Sequence, residues 1–374
     1  MKPRFRLGQS RSVQDLDAPD AYAREGKAQS KRRQQSAERL QTDIEVHDAL
    51  ALLRLPDAEP WMHLPEAVLV QRHSQWVDLE LADRSRLRAT LSGKLKGVKL
   101  TVGDRVRFAW APQEAEDTPA AGAEDLRVDP SAPQAQVVSV MPRRSLLKRG
   151  GIDDREPWQL ICANADELWI CAALLDPPIR PGLLERAQVL ALDAGLALRI
   201  VITKRDLAPP QDTLPELDPF RAQDIPIYET STLRRTGLGP LADLLSDRVA
   251  VLAGHSGVGK SALVNALLPG ADLRVGDMSR YGTGRQTTTA ARWLPHPAGG
   301  TLVDTPGVRN LSVRGMDRAL LPAVFPEFPI EWAEDPMNLG EEAFEGLAWP
   351  ERLLSLQRLW EEMETRNPNQ NVFR

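Results

Sequence analysis

The chain has 374 residues, 42% of them apolar and 26% charged, the profile of a folded protein with room for two or three domains. Its formal net charge of −5 excludes a surface that is one continuous nucleic-acid footprint, so any RNA contact must be local. Two cysteines, Cys162 and Cys171, cannot build a disulfide framework, and the apolar run LWICAALL from Leu168 is far short of the roughly 20 residues of a membrane span.

The basic start Met1-Lys2-Pro3-Arg4 leads into a polar stretch and not into a signal peptide, so a cytoplasmic protein without a membrane role is expected. Residues 1–63 mix Lys, Arg, Gln, Ser and Ala around a basic knot at Lys31, Arg32 and Arg33, and read as an extension that is helical in part at best. Over 64–148 short alternating runs follow, namely EAVLVQR, QWVDLEL, RLRATL, DRVRFAW and AQVVSV, which predict a small β-barrel. The stretch APQEAEDTPAAGAEDLRVDPSAP between the last two reads as a long inserted loop.

Over 149–311 strand-like runs alternate with helical patterns. ELWICAALL, a helix through GLLERAQVLALDAG and LRIVIT predict an α/β domain with a mainly parallel sheet. The last segment, 312–374, carries WPERLLSLQRLWEEMETR, whose apolar residues recur at helical spacing. No internal repeat is visible, and nothing demands more than a monomer.

Chemistry enters at Gly254-His255-Ser256-Gly257-Val258-Gly259-Lys260-Ser261, followed by Ala262, which fits G-x-x-x-x-G-K-[ST] between a strand and a helix. Such glycines let backbone N–H groups close round phosphate oxygens. Lys260 is expected to reach the β- and γ-phosphates and Ser261 to ligate Mg²⁺. Downstream, GGTLVDTPGVRN sets Asp304 at a strand end, to hold Mg²⁺ through water, and Gly307, whose amide is to read the γ-phosphate. Between them YGTGRQTTTAARW offers Thr287, Thr288 and Thr289, of which Thr288 is expected to complete the Mg²⁺ shell.

Those parts suit an ATPase or a GTPase, and the base must be chosen elsewhere. Upstream, RIVITKRDLAP ends a strand in Thr203-Lys204-Arg205-Asp206, close to the N/T-K-x-D element of GTPases. A carboxylate at Asp206 can accept both the N1–H and the exocyclic amine of guanine, with Lys204 along the base plane. IPIYETSTL then sets Thr230, Ser231 and Thr232 where backbone N–H groups can meet the guanine O6. The elements run guanine motif, guanine loop, phosphate loop, switch threonines, D-x-x-G, which is a GTPase with its chain order permuted.

This order behind a β-barrel resembles the circularly permuted GTPases of the RsgA/YjeQ family, over roughly Pro65 to Asn310. The matching blocks are RRSLLKRG, ANADELWI, TKRD, GHSGVGKSALVN, GRQTTT and DTPGVR. The resemblance implies an OB-fold barrel that binds RNA, a circularly permuted α/β P-loop GTPase domain, GTP and GDP as substrate and product, and Mg²⁺. It also implies the small ribosomal subunit with its rRNA as partner, late in the subunit's maturation, and stimulation of hydrolysis by that subunit.

Three features depart from the family. No Cys follows Cys171 and no His follows His296, so the usual zinc module after the GTPase domain is absent and the mainly helical C-terminal segment stands in its place without zinc. Thr203 stands where Asn is commoner. Gln286 replaces a His before the switch threonines, while Val308 follows Gly307 where many GTPases carry the water-orienting glutamine. Gln286 is therefore expected to position the attacking water, helped by the subunit.

Local RNA contact is expected from Arg84, Arg86, Arg88, Lys94, Lys96, Lys99, Arg105 and Arg107 on the barrel and from Arg143, Arg144, Lys148 and Arg149 at its exit. Cys162 and Cys171 are read as small core residues, and His255 is given no catalytic duty. Two other readings stay open: a P-loop ATPase or kinase, and an RNA-binding scaffold that holds nucleotide with little hydrolysis.

Overall fold

The computed structural model describes residues 62–95, 97–111, 133–151, 158–208, 214–271, 291–305 and 311–364. The extension before Met62, most of the inserted loop, the switch threonines and Gly307 lie outside them.

The five runs read as strands form a closed barrel: β1 (Glu66–Arg72), β2 (Val77–Glu80), β3 (Arg86–Leu91), β4 (Arg105–Trp110) and β5 (Ala135–Val140). Their order is β1-β2-β3-β5-β4, with β4 closing on β1 and with β3 parallel to β5. Alternation explains the closure. Leu69, Val77, Leu79, Leu87, Ala89, Val106, Phe108 and Val137 fill the inside, while the arginines between them face outward.

The barrel leads into an antiparallel ribbon of β6 (Leu146–Gly150) and β7 (Trp158–Ala163), which the sequence pattern does not announce. A six-stranded sheet follows, built of β8 (Glu167–Ala173), β9 (Ala197–Thr203), β10 (Ile227–Glu229), β11 (Val249–Gly254), β12 (Arg292–His296) and β13 (Gly299–Asp304). Its order is β10-β9-β8-β11-β13-β12, and all neighbours are parallel except β12 with β13. All seven residues of β8 are buried, as a central strand covered on both faces requires. Pro295 hides β12 from a sequence reading, and β12 lies at the sheet's edge, where a missing N–H costs no ladder bond.

Helices cover the sheet: α1 (Pro181–Ala194), the short α2 (Asp218–Arg221) and α3 (Gly239–Leu244), and α4 (Lys260–Leu267). Pro181 opens α1 and Gly195, left-handed, closes it, the usual signals at either end. After β13 the chain is helical, with α5 (Leu321–Val324), α6 (Ile330–Glu334) and α7 (Pro350–Glu364).

Leu353, Leu356, Leu359 and Met363 form the buried stripe of α7. Arg352, 1% exposed, anchors it. The guanidinium pairs with Glu185 of α1 at 3.2 Å and with Glu327, donates to the Val324 carbonyl at 2.7 Å, and lies over the Phe325 ring. Ser355 also bonds Glu185, and Arg186 reaches Glu362 at 2.7 Å. The C-terminal segment is thus fastened to the helix that follows the first strand of the large sheet.

Candidate nucleotide-binding site

Parallel pairing brings the carboxyl ends of β8, β9, β10, β11 and β13 to one edge. From β8 the chain steps outward to β9 and β10, then returns to the other side of β8 with β11 and β13. The sheet therefore changes direction between β8 and β11, and ligands of open α/β sheets bind in the crevice at such a point. The loop 254–261 leaves β11 there, Thr203 to Asp206 leave β9, Thr230 to Thr232 leave β10, and Asp304 ends β13.

Sequence neighbours force the shape of the phosphate loop. Gly254 has φ +144°, and a Cβ on it would lie 2.4 Å from the Cys171 carbonyl oxygen, so only glycine lets the loop press onto β8. Val258 is buried and pins the middle of the loop, Ser256 stays half-buried, and Gly257 is exposed. Gly259 precedes α4.

Lys260 donates its ammonium to the carbonyls of Gly254 at 2.6 Å and His255 at 2.8 Å, which holds it over the loop. Burial holds His255 below the usual histidine range, and the positive charges of Arg180 and Lys260 push the same way. A neutral imidazole at neutral pH accords with a bystander.

On the base side, Thr203 is buried and donates its hydroxyl to the Val258 carbonyl. Lys204 adopts a left-handed backbone with φ +56° and donates to the Asp176 carbonyl. Asp206 accepts from the Ser231 hydroxyl at 2.5 Å, and that hydroxyl accepts from the Arg234 amide at 3.0 Å. Arg234 also reaches the Asp206 carbonyl at 3.4 Å. Thr230, buried, donates to the Ile202 carbonyl at 3.1 Å, and Thr232 follows it half-buried. A bridge between Ser231 and Thr236 closes this loop, so the carboxylate of Asp206 is aimed before any base arrives.

Asp304 is 7% exposed; burial raises its carboxyl above the usual range, against the pull of Lys260, Arg292 and the Thr305 amide. Thr305 ties the strand end to the Leu252 carbonyl at 2.7 Å. The Ser261 hydroxyl at the start of α4, half-buried in Ala262's company, has no bonding partner among the described residues. An open hydroxyl and a buried carboxylate are the hard oxygen donors that suit Mg²⁺. Gln286, Thr288, Gly307 and Val308 lie outside the described residues.

The structure adds Asp176 and Arg234, which hold Lys204 and Asp206, and Arg180, exposed at the start of α1 beside His255. Their only sequence signal is position, since loops after β8 and β10 border the crevice. Cys162 and Cys171 are buried, and burial pushes the Cys171 thiol up to about 12, as expected of core residues.

The basic residues expected to face RNA divide. Arg84 and Arg86 join the barrel to the β12–β13 hairpin. Arg143 makes a two-pronged pair with buried Asp104, and Arg105 and Arg107 pair with Glu66. Arg88 pairs with Asp78 and lies over Trp76, Arg144 pairs with Asp166, Lys148 pairs with Asp193, and Arg149 bonds Gln159. Internal acids thus neutralise much of the basic cluster, so its charge count overstates an RNA face. Lys96 lies outside the described residues.

A family model described as RsgA GTPase matches residues 140–314. The chain is 35% identical over 249 residues to the small ribosomal subunit biogenesis GTPase RsgA of Gemmatimonas aurantiaca, covering 65% of this chain and 76% of that one. It is also 35% identical over 250 residues to the protein of the same name in Shewanella oneidensis, covering 66% of this chain and 65% of that one. Among solved structures it is similar to YjeQ from Thermotoga maritima, with a TM-score of 0.54 and 24% identity over 81% of this chain and 99% of that one. YloQ, a circularly permuted GTPase, gives 0.53 and 20% over 83% and 100%. These two likenesses speak to the fold.

Proposed function

The chain belongs to the RsgA family of GTPases, and from that premise we infer that it hydrolyses GTP to GDP and phosphate while serving the biogenesis of the small ribosomal subunit. The observation that carries this reading is the bond from Thr203 to Val258, which joins the strand that presents Asp206 to the loop that presents Lys260. One nucleotide can thereby be held at both ends by elements that the chain order separates.

In this reading Asp206 accepts from the guanine N1–H and 2-amine, and the backbone at Ser231 and Thr232 faces O6. Lys260 exchanges the two loop carbonyls for the β- and γ-phosphates, and the amides from His255 to Ala262 surround the phosphate chain. Ser261 and Thr288 would hold Mg²⁺, with Asp304 acting through water, and the ion would offset phosphate charge. Gly307 reads the γ-phosphate and Gln286 orients the attacking water. Selectivity for guanine separates this site from an ATPase or kinase.

The partner is the small subunit and its rRNA, met by the barrel over 64–148, with the GTPase domain over 149–311 and the helical segment over 312–374 fastened to it. The protein acts as a cytoplasmic monomer. No helix among the described residues is long and apolar enough to cross a membrane.

The test is steady-state hydrolysis of GTP and ATP by the purified protein, with and without small ribosomal subunits, over a salt series. GTP-selective turnover, accelerated by subunits and fading with salt, is expected. Equal use of ATP sinks the guanine assignment. Guanine binding with no turnover on subunits favours the scaffold.

A further inference from the structure

Away from the nucleotide, a cluster of charges ties the barrel to the large sheet. Glu80, at the end of β2 and 4% exposed, accepts from Arg84 at 2.9 Å, from Arg86 at 3.4 Å and from the Trp293 indole N–H at 3.2 Å. The same guanidiniums reach across. Arg84 donates to the carbonyls of Gly299 and Gly300, each at 3.3 Å, and Arg86 donates to the Trp293 carbonyl at 3.3 Å. One buried barrel carboxylate and two barrel arginines therefore grip β12 near its start and β13 at its start.

Those two strands lead straight to the nucleotide. Trp293 stands opposite Val303, and Arg292 stands opposite Asp304. The carbonyl that Arg86 holds is thus one residue away from the strand partner of the acid at the phosphate site. At the other end the hairpin has no slack, because a Cβ on Gly300 would lie 1.7 Å from the Leu245 carbonyl oxygen. A paired ribbon fixed at its tip passes a displacement along its length more readily than it absorbs one. The arginines at the grip are 45% and 49% exposed, so the junction is also open to whatever approaches this side of the barrel.

We propose that Glu80, Arg84, Arg86 and Trp293 are positioning residues through which a ligand on the barrel acts on GTP hydrolysis, by moving β12 and β13 and with them Asp304. The proposal rests on the GTPase reading above and names its regulation. Since Glu80 bonds both arginines and Trp293 together, loss of either of its two kinds of partner should loosen the grip without opening the barrel core.

The experiment uses two variants of the full chain. Glu80→Gln keeps the shape and removes the charge, and Trp293→Phe keeps a ring and removes the N–H, so that one serves if the other folds poorly. The quantities read are the ratio of subunit-stimulated to unstimulated hydrolysis, the affinity for subunits, and hydrogen exchange over Leu302 to Asp304. The ratio is expected to fall roughly three- to tenfold in either variant, the range of coupling energies carried by such networks, while subunits still bind. Exchange at Leu302 to Asp304 should respond to subunits in the wild type and not in the variants.

Stimulation and exchange that match the wild type overturn the proposal, as do two rates that fall by one common factor. Wild-type hydrolysis that subunits fail to accelerate overturns the parent reading and the proposal with it, whereas full stimulation in both variants overturns the proposal alone.

Discussion

Thr203 donates its hydroxyl to the carbonyl of Val258 across 55 residues of chain, and this bond holds the strand end that carries Asp206 against the glycine-rich loop that carries Lys260. The Ala172 carbonyl, at 3.3 Å, is the second acceptor within reach. Thr203→Val keeps the shape and leaves a buried carbonyl unpaired, a loss of about 1–3 kcal/mol. Part of it should appear as weaker GDP binding, roughly fivefold for each kcal/mol. Thr203→Asn supplies an amide donor and should recover most of the affinity. A GDP titration of the three proteins decides, and equal affinities would remove the clamp.

The Asp206 carboxylate is aimed by the Ser231 hydroxyl, which the Arg234 amide holds in turn, and in the proposed function its specificity follows from its charge. Asp206→Asn loses acceptors for the guanine N1–H and 2-amine, and GTP affinity should drop by on the order of 10⁴, the scale of rejection by a site built on polar pairing. Xanthine carries an oxygen where guanine carries the amine, so xanthosine triphosphate should gain where GTP loses. Competition binding with both nucleotides tests this. A parallel loss of both would place Asp206 outside the base site.

These site residues were legible because their chemistry is local. The spacing of Gly254, Gly257, Gly259 and Lys260 and the run Thr203 to Asp206 suggest phosphate- and base-binding loops without reference to the rest of the chain, and the fold brings both to the same edge of the sheet. Barrel strands were legible for the same reason, since Val77, Leu79, Leu87 and Ala89 alternate with polar neighbours. What stayed hidden depends on tertiary partners. From the sequence Arg84 shows only its charge, and its bond to Gly299, 215 residues away, appears only in the fold. Leu146–Gly150 does not read as a strand from its sequence because its half-buried Lys148 and Arg149 rest on Trp158 and Gln159 of the partner strand, a cover that no alternation announces.

Arg352 was hidden in the same way, a polar helix residue whose partners come from elsewhere. Arg352→Met should cost about 3–5 kcal/mol, because it leaves Glu185 and Glu327 without their cation. Burial already raises Glu185 above the usual carboxyl range, against the pull of Arg352 and Ser355. Without the arginine it rises further. A carboxyl raised in the folded state lends stability that is full below its unfolded value and lost as pH climbs through the folded one. The variant's deficit should therefore be greatest at neutral pH and shrink in mild acid. Thermal melts of both proteins across that range check it, and a deficit that grows on acidification would point to another group.

Asp304 sets function against stability. Burial raises its carboxyl, so the folded protein holds that proton more tightly than the unfolded chain does, and stability falls as pH rises through the folded value. At neutral pH the charge is thus a cost to the nucleotide-free fold, which Lys260 and Arg292 offset only in part. Asp304→Asn removes that cost and should raise the melting temperature of the nucleotide-free protein. The same change takes away the oxygen that, in the proposed function, would hold Mg²⁺ through water, and GTP hydrolysis should fall roughly 10- to 100-fold, as when outer-shell partners of metal sites are lost. Melting without nucleotide, together with hydrolysis over a Mg²⁺ series, reads both halves. A variant that melts lower would mean that the two cations outweigh burial, and one that hydrolyses normally would mean that the acid is there for the strand end alone.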